Sequence, residues 1–116
     1  GIGENGHIAF NDPDVANLFD TYCFKQVSLD DACRMQQVHD GCFPAIDDVP
    51  KRALSLTVPA LLRSSRLFCM VPGETKAKAV REMLRKPISM SCPASSLRLH
   101  INATMYLDRN SAKYLE

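Results

Sequence analysis

The segment from residue 66 to residue 86 constrains the fold most. Residues 66–71, RLFCMV, form a nearly continuous apolar run, which is typical of a strand buried on both faces in a parallel sheet. Pro72 and Gly73 end this run, and residues 74–86 then repeat apolar side chains at helical spacing. A strand, a glycine turn and a helix in this order make half of a βαβ unit, so the segment predicts an α/β fold.

The same alternation extends over the rest of the chain. Hydrophobic periodicity and turn residues predict further strands at 25–28, 53–58 and 103–107. They predict further helices at 28–38 with Ser28 as the cap, at 60–64, at 93–99 and at 111–115. We therefore expect a Rossmann-like, mostly parallel sheet flanked by helices, in a single domain spanning residues 1–116.

Composition narrows the classes of partner. The chain has 116 residues, 46% of them hydrophobic, which suffices for one core or a share in a larger one. Its 14 basic and 13 acidic residues leave a net charge of +1, which argues against nucleic acid or a membrane as partner. No apolar run approaches the roughly 20 residues of a membrane span. Any anionic ligand must therefore be bound by local groups.

The cysteines indicate a reducing compartment. There are 5 of them, with no CxxC pair, so we expect free thiols and a cytoplasmic protein. His39 and Cys42 have HxxC spacing, but no second pair of ligands lies close enough in sequence to complete a zinc site. We predict no metal.

A glycine-rich loop opens the chain. Residues 1–6, GIGENG, match the dinucleotide pattern GxGxxG, but turn residues follow where that motif requires an amphipathic helix. We favour instead a loop in which Gly6 adopts a positive φ and projects His7 from the end of a strand. An imidazole, with an ordinary pKa of about 6.5, can accept and donate a proton near neutrality. Asp12 could fix its tautomer and stabilise its charged form.

Residues 3–13, GENGHIAFNDP, resemble the signature of the glucosamine-6-phosphate deaminase family, which is usually GxGxDGHIAFNEP or close to it. The likeness continues through residues 47–54, 71–73, 91–95 and 99–100 and covers nearly the whole chain. A loop of this kind normally follows a strand, so we expect the chain to be the carboxy-terminal part of the family domain.

The resemblance implies that His7 assists opening of the sugar ring and that Asn5 and Asp12 support and polarise it. Gly3 and Gly6 shape the loop backbone. Both flanks depart from the usual pattern, with Asn5 in place of Asp and Asp12 in place of Glu. An asparagine adds no negative charge, so His7 should be less strongly stabilised as imidazolium. Some members have Asn at this position too.

Two cations are implied for the substrate phosphate. Lys76 matches the family's phosphate-binding lysine, at the start of the helix predicted over 74–86. Arg34 is the candidate for a second clamp, since a guanidinium can bind phosphate through two hydrogen bonds.

By resemblance, the reaction converts glucosamine 6-phosphate to fructose 6-phosphate and ammonia, by acid–base steps that need no cofactor. The proton-shuttling carboxylate and a Ser/Thr-rich phosphate loop belong to the amino-terminal half of the family fold, so we expect this chain alone to be inactive. Homo-oligomers are a further possibility. Two alternatives remain: a 6-phosphogluconolactonase, whose loop usually continues differently after the histidine, and a non-catalytic sugar-phosphate sensor.

Overall fold

The computed structural model describes residues 1–116 as a mixed α/β arrangement, with strands and helices alternating after an irregular first segment. The α/β class predicted from the sequence is confirmed. None of the helices combines the length and the hydrophobicity of a membrane span. In chain order the elements are β1 (Phe24–Ser28), α1 (Asp31–His39), β2 (Arg52–Leu56), α2 (Val58–Leu62), β3 (Leu67–Val71), α3 (Ala77–Arg85) and β4 (Ala103–Leu107), with 3-10 helices at Ile46–Asp48, Glu74–Lys76 and Pro93–Leu99.

β1 and β2 form an antiparallel ribbon in which Gln26 faces Leu54. Both strands were predicted, but their antiparallel pairing was not. β2 stops at Leu56, short of the predicted end at 58, because Thr57 caps the next helix by accepting a hydrogen bond from the Ala60 amide. That helix consequently begins two residues before the predicted position.

β3 and β4 pair in parallel, with Cys69 opposite Met105. The predicted burial of β3 on both faces is wrong. Cys69 and Val71 are buried, whereas Phe68 and Met70 are 57% and 60% exposed. One face of the strand packs on the core, and nothing in this structure covers the other, so the apolar run is half-buried.

Three helix predictions are corrected. α1 is capped by Asp30, whose side chain accepts from the Cys33 amide, and not by Ser28, which ends β1. The helix predicted over 74–86 is a 3-10 turn at Glu74–Lys76 followed by α3. Residues 111–115 form turns and no helix, because the Ser111 side chain bonds back to Asp108 within a tight loop.

The hydrophobic core holds both ends of the glycine loop. Ile2 and Ile8 belong to a cluster of 11 buried residues that also includes Val58 of α2 and Val80 of α3. Burying two isoleucine side chains stabilises the loop by several kcal/mol in total, about 1.5–3 for each. The loop between them is thus fixed to the sheet and the helices.

Candidate active site

The glycine loop is a compact turn closed by backbone hydrogen bonds. The Gly3 amide donates to the His7 carbonyl at 2.9 Å, and the Gly6 amide donates to the Gly3 carbonyl at 3.0 Å. Gly6 has a φ of +81°, as predicted, and a Cβ there would lie 2.6 Å from Cys92 Sγ. Ala9 also has a positive φ, of 50°, a conformation that costs an alanine roughly 1–3 kcal/mol. The loop carries local strain that the core contacts of its flanks offset.

Gly3 makes room for the histidine ring. A Cβ at this position would lie 2.1 Å from His7 Nδ1 and 2.2 Å from Cε1. The imidazole is therefore packed directly against the Gly3 backbone, and the His7 side chain is only 12% exposed. The loop backbone sets the orientation of the ring.

Asn5 connects His7 to Asp12. Its Oδ1 accepts from the His7 amide at 3.0 Å and lies 2.8 Å from His7 Nδ1. Its Nδ2 donates to Asp12 Oδ1 at 3.0 Å. Asp12 Oδ1 is also 3.3 Å from His7 Nδ1. The three residues singled out from the sequence as a catalytic group are brought together.

This network fixes the histidine tautomer. The His7 amide can only donate and the ionised Asp12 carboxylate can only accept, so the orientation of the Asn5 amide is determined. Its Oδ1 therefore faces Nδ1 as an acceptor, and Nδ1 carries a proton. In the neutral ring Nε2 is then left as the acceptor, the form that a general base requires.

Asp12 is ionised inside the protein. Its side chain is fully buried, and burial opposes ionisation, but the hydrogen bonds from His7 and Asn5 outweigh that effect and lower the pKa of the Asp12 carboxyl. Its second oxygen, Oδ2, is buried without a hydrogen-bond partner. The site holds a negative charge beside the imidazole even though position 5 carries none.

Asn11 ties the loop to β2. It is fully buried, and its Nδ2 donates to the carbonyl of Ile8 at 2.9 Å and to that of Leu56 at 2.7 Å. The Phe10 amide donates to Ser55 Oγ of the same strand at 3.0 Å. The turn residues after His7 therefore attach the site to the antiparallel ribbon.

Lys76 contacts the beginning of the loop. Its Nζ donates to the Ile2 carbonyl at 2.8 Å, one residue before Gly3. It stands at the end of the Glu74–Lys76 turn, immediately before α3. An ammonium has three donors, and the Ile2 carbonyl accepts one of them. The phosphate role assigned to Lys76 stays a prediction.

Arg34 has a structural role that the sequence analysis did not predict. Its side chain is buried, and Nη2 donates to the carbonyls of Ile46 and Val49 at 2.8 and 3.2 Å. Nη1 forms an ion pair with Asp31 at 3.3 Å, and Nε is buried without a partner. These bonds hold the segment between α1 and β2. The proposed phosphate clamp also stays a prediction.

Two residues beside the site were missed by the sequence analysis. Cys33, treated there as an ordinary free thiol, offers a sulfur within 4.8 Å of ligand atoms of His7 and Asp12. Burial is the larger cause and the negative charge of Asp12 the next, and together they raise the pKa of the Cys33 thiol to about 11. Lys78 is exposed on α3 and lines a cleft next to Asn5. This cleft of about 320 Å³ is lined by Glu4, Asn5, Ala32, Cys33, Gln36 and Lys78.

Comparison with known proteins finds relatives that are all named glucosamine-6-phosphate deaminase. Glucosamine-6-phosphate deaminase 1 of Bacillus subtilis (strain 168) is 41% identical over 112 residues, which are 97% of this chain and 44% of that protein. The glucosamine-6-phosphate deaminase of Colwellia psychrerythraea is 39% identical over 118 residues, covering 100% of this chain and 41% of the relative. The glucosamine-6-phosphate deaminase of Listeria welshimeri is 34% identical over 115 residues, which are 99% of this chain and 47% of that protein. The chain thus spans less than half the length of these relatives. No protein-family model matches it.

Two solved structures share the fold. A monomeric glucosamine-6-phosphate deaminase of the NagB superfamily superposes with a TM-score of 0.89 at 39% identity, over 97% of this chain and 45% of that one. The 6-phosphogluconolactonase of Leishmania guyanensis superposes with a TM-score of 0.69 at 18% identity. The superposition covers 100% of this chain and 40% of the lactonase chain. The second likeness concerns the fold alone.

The fold is that of an α/β protein and is similar to the fold of a deaminase from the NagB superfamily. In sequence, the chain is homologous to one part of the glucosamine-6-phosphate deaminases. The resemblance predicted from residues 3–13 is confirmed.

Proposed function

We propose that the chain carries the ring-opening part of a glucosamine-6-phosphate deaminase active site, with His7 as the group that transfers the proton. The observation that supports this proposal most strongly is the hydrogen-bonded set of His7, Asn5 and Asp12, which leaves Nε2 as an acceptor in the neutral ring. The relatives from Bacillus subtilis and Colwellia psychrerythraea are named as deaminases of glucosamine 6-phosphate.

Opening a cyclic sugar requires removal of the proton of the anomeric hydroxyl and delivery of a proton to the ring oxygen. His7 Nε2 takes the first proton, and the resulting imidazolium gives a proton to the ring oxygen. The buried Asp12 carboxylate stabilises the imidazolium in between, with an effect strengthened by the low polarity around it. The open aldehyde is then available for isomerisation and release of ammonia, which require no redox chemistry.

Lys76 and Arg34 are the residues proposed to bind the phosphate group of the substrate. Lys76 lies against the loop that carries His7, so a phosphate bound there would lie near the same turn. Arg34 follows Cys33 on α1 and retains an unpaired Nε. The cleft of about 320 Å³ between the loop, α1 and Lys78 is within the range of small-ligand sites.

The activity is best tested in a chimera. In the Bacillus subtilis deaminase, this chain would replace the segment that it matches, so that the remainder of the relative supplies groups absent from these 116 residues. We expect release of ammonia and fructose 6-phosphate by the chimera and none by the 116-residue chain alone. His7→Ala should lower kcat by about 10²- to 10⁴-fold, with a much smaller change in KM.

The matched control is His39→Ala, which removes an exposed histidine at the end of α1 and should leave the rate unchanged. A folded chimera that binds glucosamine 6-phosphate without turnover would favour the sensor alternative. Hydrolysis of 6-phosphogluconolactone in place of ammonia release would favour the lactonase. Equal kcat in the wild-type and His7→Ala chimeras would remove His7 from the mechanism.

A further inference from the structure

Three different metal-binding side chains meet at the base of the loop. His7, Asp12 and Cys33 each offer one ligand atom, and these atoms all lie within 4.8 Å of one another. The residues come from the loop and from the first turn of α1, so their meeting depends on the fold and not on sequence spacing. Imidazole nitrogen, carboxylate oxygen and cysteine sulfur are the donor atoms found at zinc sites.

The Asp12 carboxylate provides a second, independent indication. Asp12 is fully buried, yet its Oδ2 has no hydrogen-bond partner. An unpaired buried carboxylate oxygen lacks a stabilising contact that a hydrogen bond or a cation would supply. Cys33 is likewise only 1% exposed, so both groups are held in place by packing.

We propose that His7, Asp12 and Cys33 form a binding site for a soft divalent cation, Zn²⁺ above all. Three atoms at most 4.8 Å apart can all lie within about 2.8 Å of a common centre. Shifts of about 0.5–0.8 Å in each side chain would reach the bond lengths of Zn²⁺, about 2.0–2.3 Å. The Asp12 carboxylate already lies beside the imidazole, with Oδ1 3.3 Å from His7 Nδ1, and its unpaired Oδ2 is the oxygen available to the ion.

Binding balances as an exchange of a proton for the cation. The Cys33 thiol loses its proton to solvent as the sulfur–zinc bond forms, and Nδ1 of His7 uses its lone pair for the metal once its proton has moved to Nε2. A tetrahedral ion would take water as its fourth ligand.

A nearby acidic cluster offers a different site that must be distinguished. Asp12, Asp14 and Asp30 also have ligand atoms within 4.8 Å of one another. Such oxygen-only groups suit hard cations, whereas the sulfur of Cys33 selects soft ones. The two sites share Asp12, but only one of them includes a thiolate.

Occupation of the site by zinc would inhibit the reaction. A cation on Nδ1 places the imidazole proton on Nε2, which removes the acceptor required for ring opening. This consequence rests on the proposed function, whereas the binding itself does not. Zinc would then act as a reversible inhibitor, because His7 cannot accept the substrate proton while it binds the ion.

The test is a titration of the 116-residue chain with Co²⁺, whose bond to a thiolate gives a strong charge-transfer absorption in the near ultraviolet. We expect this band to saturate at one Co²⁺ per chain and to disappear when Zn²⁺ is added. Cys33→Ser should abolish the band, and Asp12→Asn should weaken binding at least tenfold. Cys42→Ser, which removes an exposed thiol, and Asp14→Asn are the matched controls and should leave the titration unchanged.

Far-ultraviolet circular dichroism checks that each variant is folded. Should Cys33→Ser not fold, His7→Gln keeps the thiol and should still lower the affinity for Co²⁺ tenfold or more. The proposal is overturned by the absence of a band in the wild-type chain, by a band that persists in folded Cys33→Ser, or by its loss in Cys42→Ser. Unchanged affinity in His7→Gln or lost binding in Asp14→Asn would also overturn it. Zinc inhibition of the active chimera is measured separately, so an inactive chimera would refute the proposed function without touching the binding result.

Discussion

His7 Nδ1 lies 2.8 Å from Oδ1 of Asn5, and the amide that provides this oxygen also donates from its nitrogen to Asp12. A single neutral side chain thereby orients the imidazole and pairs with the carboxylate. An aspartate at position 5 could not make both contacts while ionised, since it has no donor. The asparagine is therefore suited to a site in which Asp12 carries the negative charge.

The first prediction concerns Asn5→Asp. The new carboxylate would face Asp12 Oδ1 at about the present 3.0 Å, and repulsion should raise the pKa of one of the two carboxyls. The free energy of unfolding should therefore fall, relative to wild type, as the pH rises from about 4 to 7. The matched control is the exchanged double variant Asn5→Asp/Asp12→Asn, which keeps one carboxylate and one amide. It should recover most of the loss, and a double variant as unstable as the single one would contradict this account.

The second prediction concerns the pH dependence of stability. Because the pKa of Asp12 is lower in the folded chain than its ordinary 3.8, its ionised form stabilises the fold above that value. This contribution is lost as the pH falls through the folded-state pKa. Urea unfolding should thus show that the stability difference between wild type and Asp12→Asn shrinks between about pH 5 and pH 2. Exposed Asp47→Asn serves as the control, and a difference independent of pH would show that Asp12 is not held ionised.

The third prediction concerns Gly3→Ala. The added methyl group would overlap the His7 ring, which must rotate away and lose its contact with Asn5 Oδ1. We expect a loss of about 1–3 kcal/mol in stability and a displaced imidazole resonance in the NMR spectrum. Gly1→Ala is the control, since its nearest atom would be the Met70 carbonyl oxygen at 3.6 Å. An unchanged ring resonance in Gly3→Ala would contradict the packing described for His7.

The fourth prediction concerns Asn11→Asp, a substitution of nearly equal shape. It replaces an amide that donates to the carbonyls of Ile8 and Leu56 with a buried carboxylate that cannot donate. We expect a destabilisation of about 2–4 kcal/mol in denaturant unfolding at neutral pH. Asn17→Asp, at an exposed position, should change stability by less than about 0.5 kcal/mol. Similar values for the two variants would mean that Asn11 does not tie the loop to β2.

Local patterns predicted much of the architecture. The strand at 103–107 was predicted to the residue, and the helical spacing recognised in residues 74–86 corresponds to α3, in which Ala77, Val80 and Met83 are buried and Leu84 is partly buried. The errors lie where a side chain made a local bond that the pattern does not reveal, as with the Asp30 cap and the turn at Ser111. The half-exposed β3 was missed because an apolar run does not specify how many faces are covered.

The sequence by itself determined the loop, the family likeness and the place of His7, Asn5 and Asp12, because these residues lie within eight positions of one another and their turn is local. The tertiary structure decided what those residues can do. Packing of α1 against the loop brought Cys33 beside His7 and Asp12, and the buried position of Arg34 gave that residue structural partners. Contacts between residues distant in sequence depend on how the elements pack, and periodicity within one element carries no information about its neighbours.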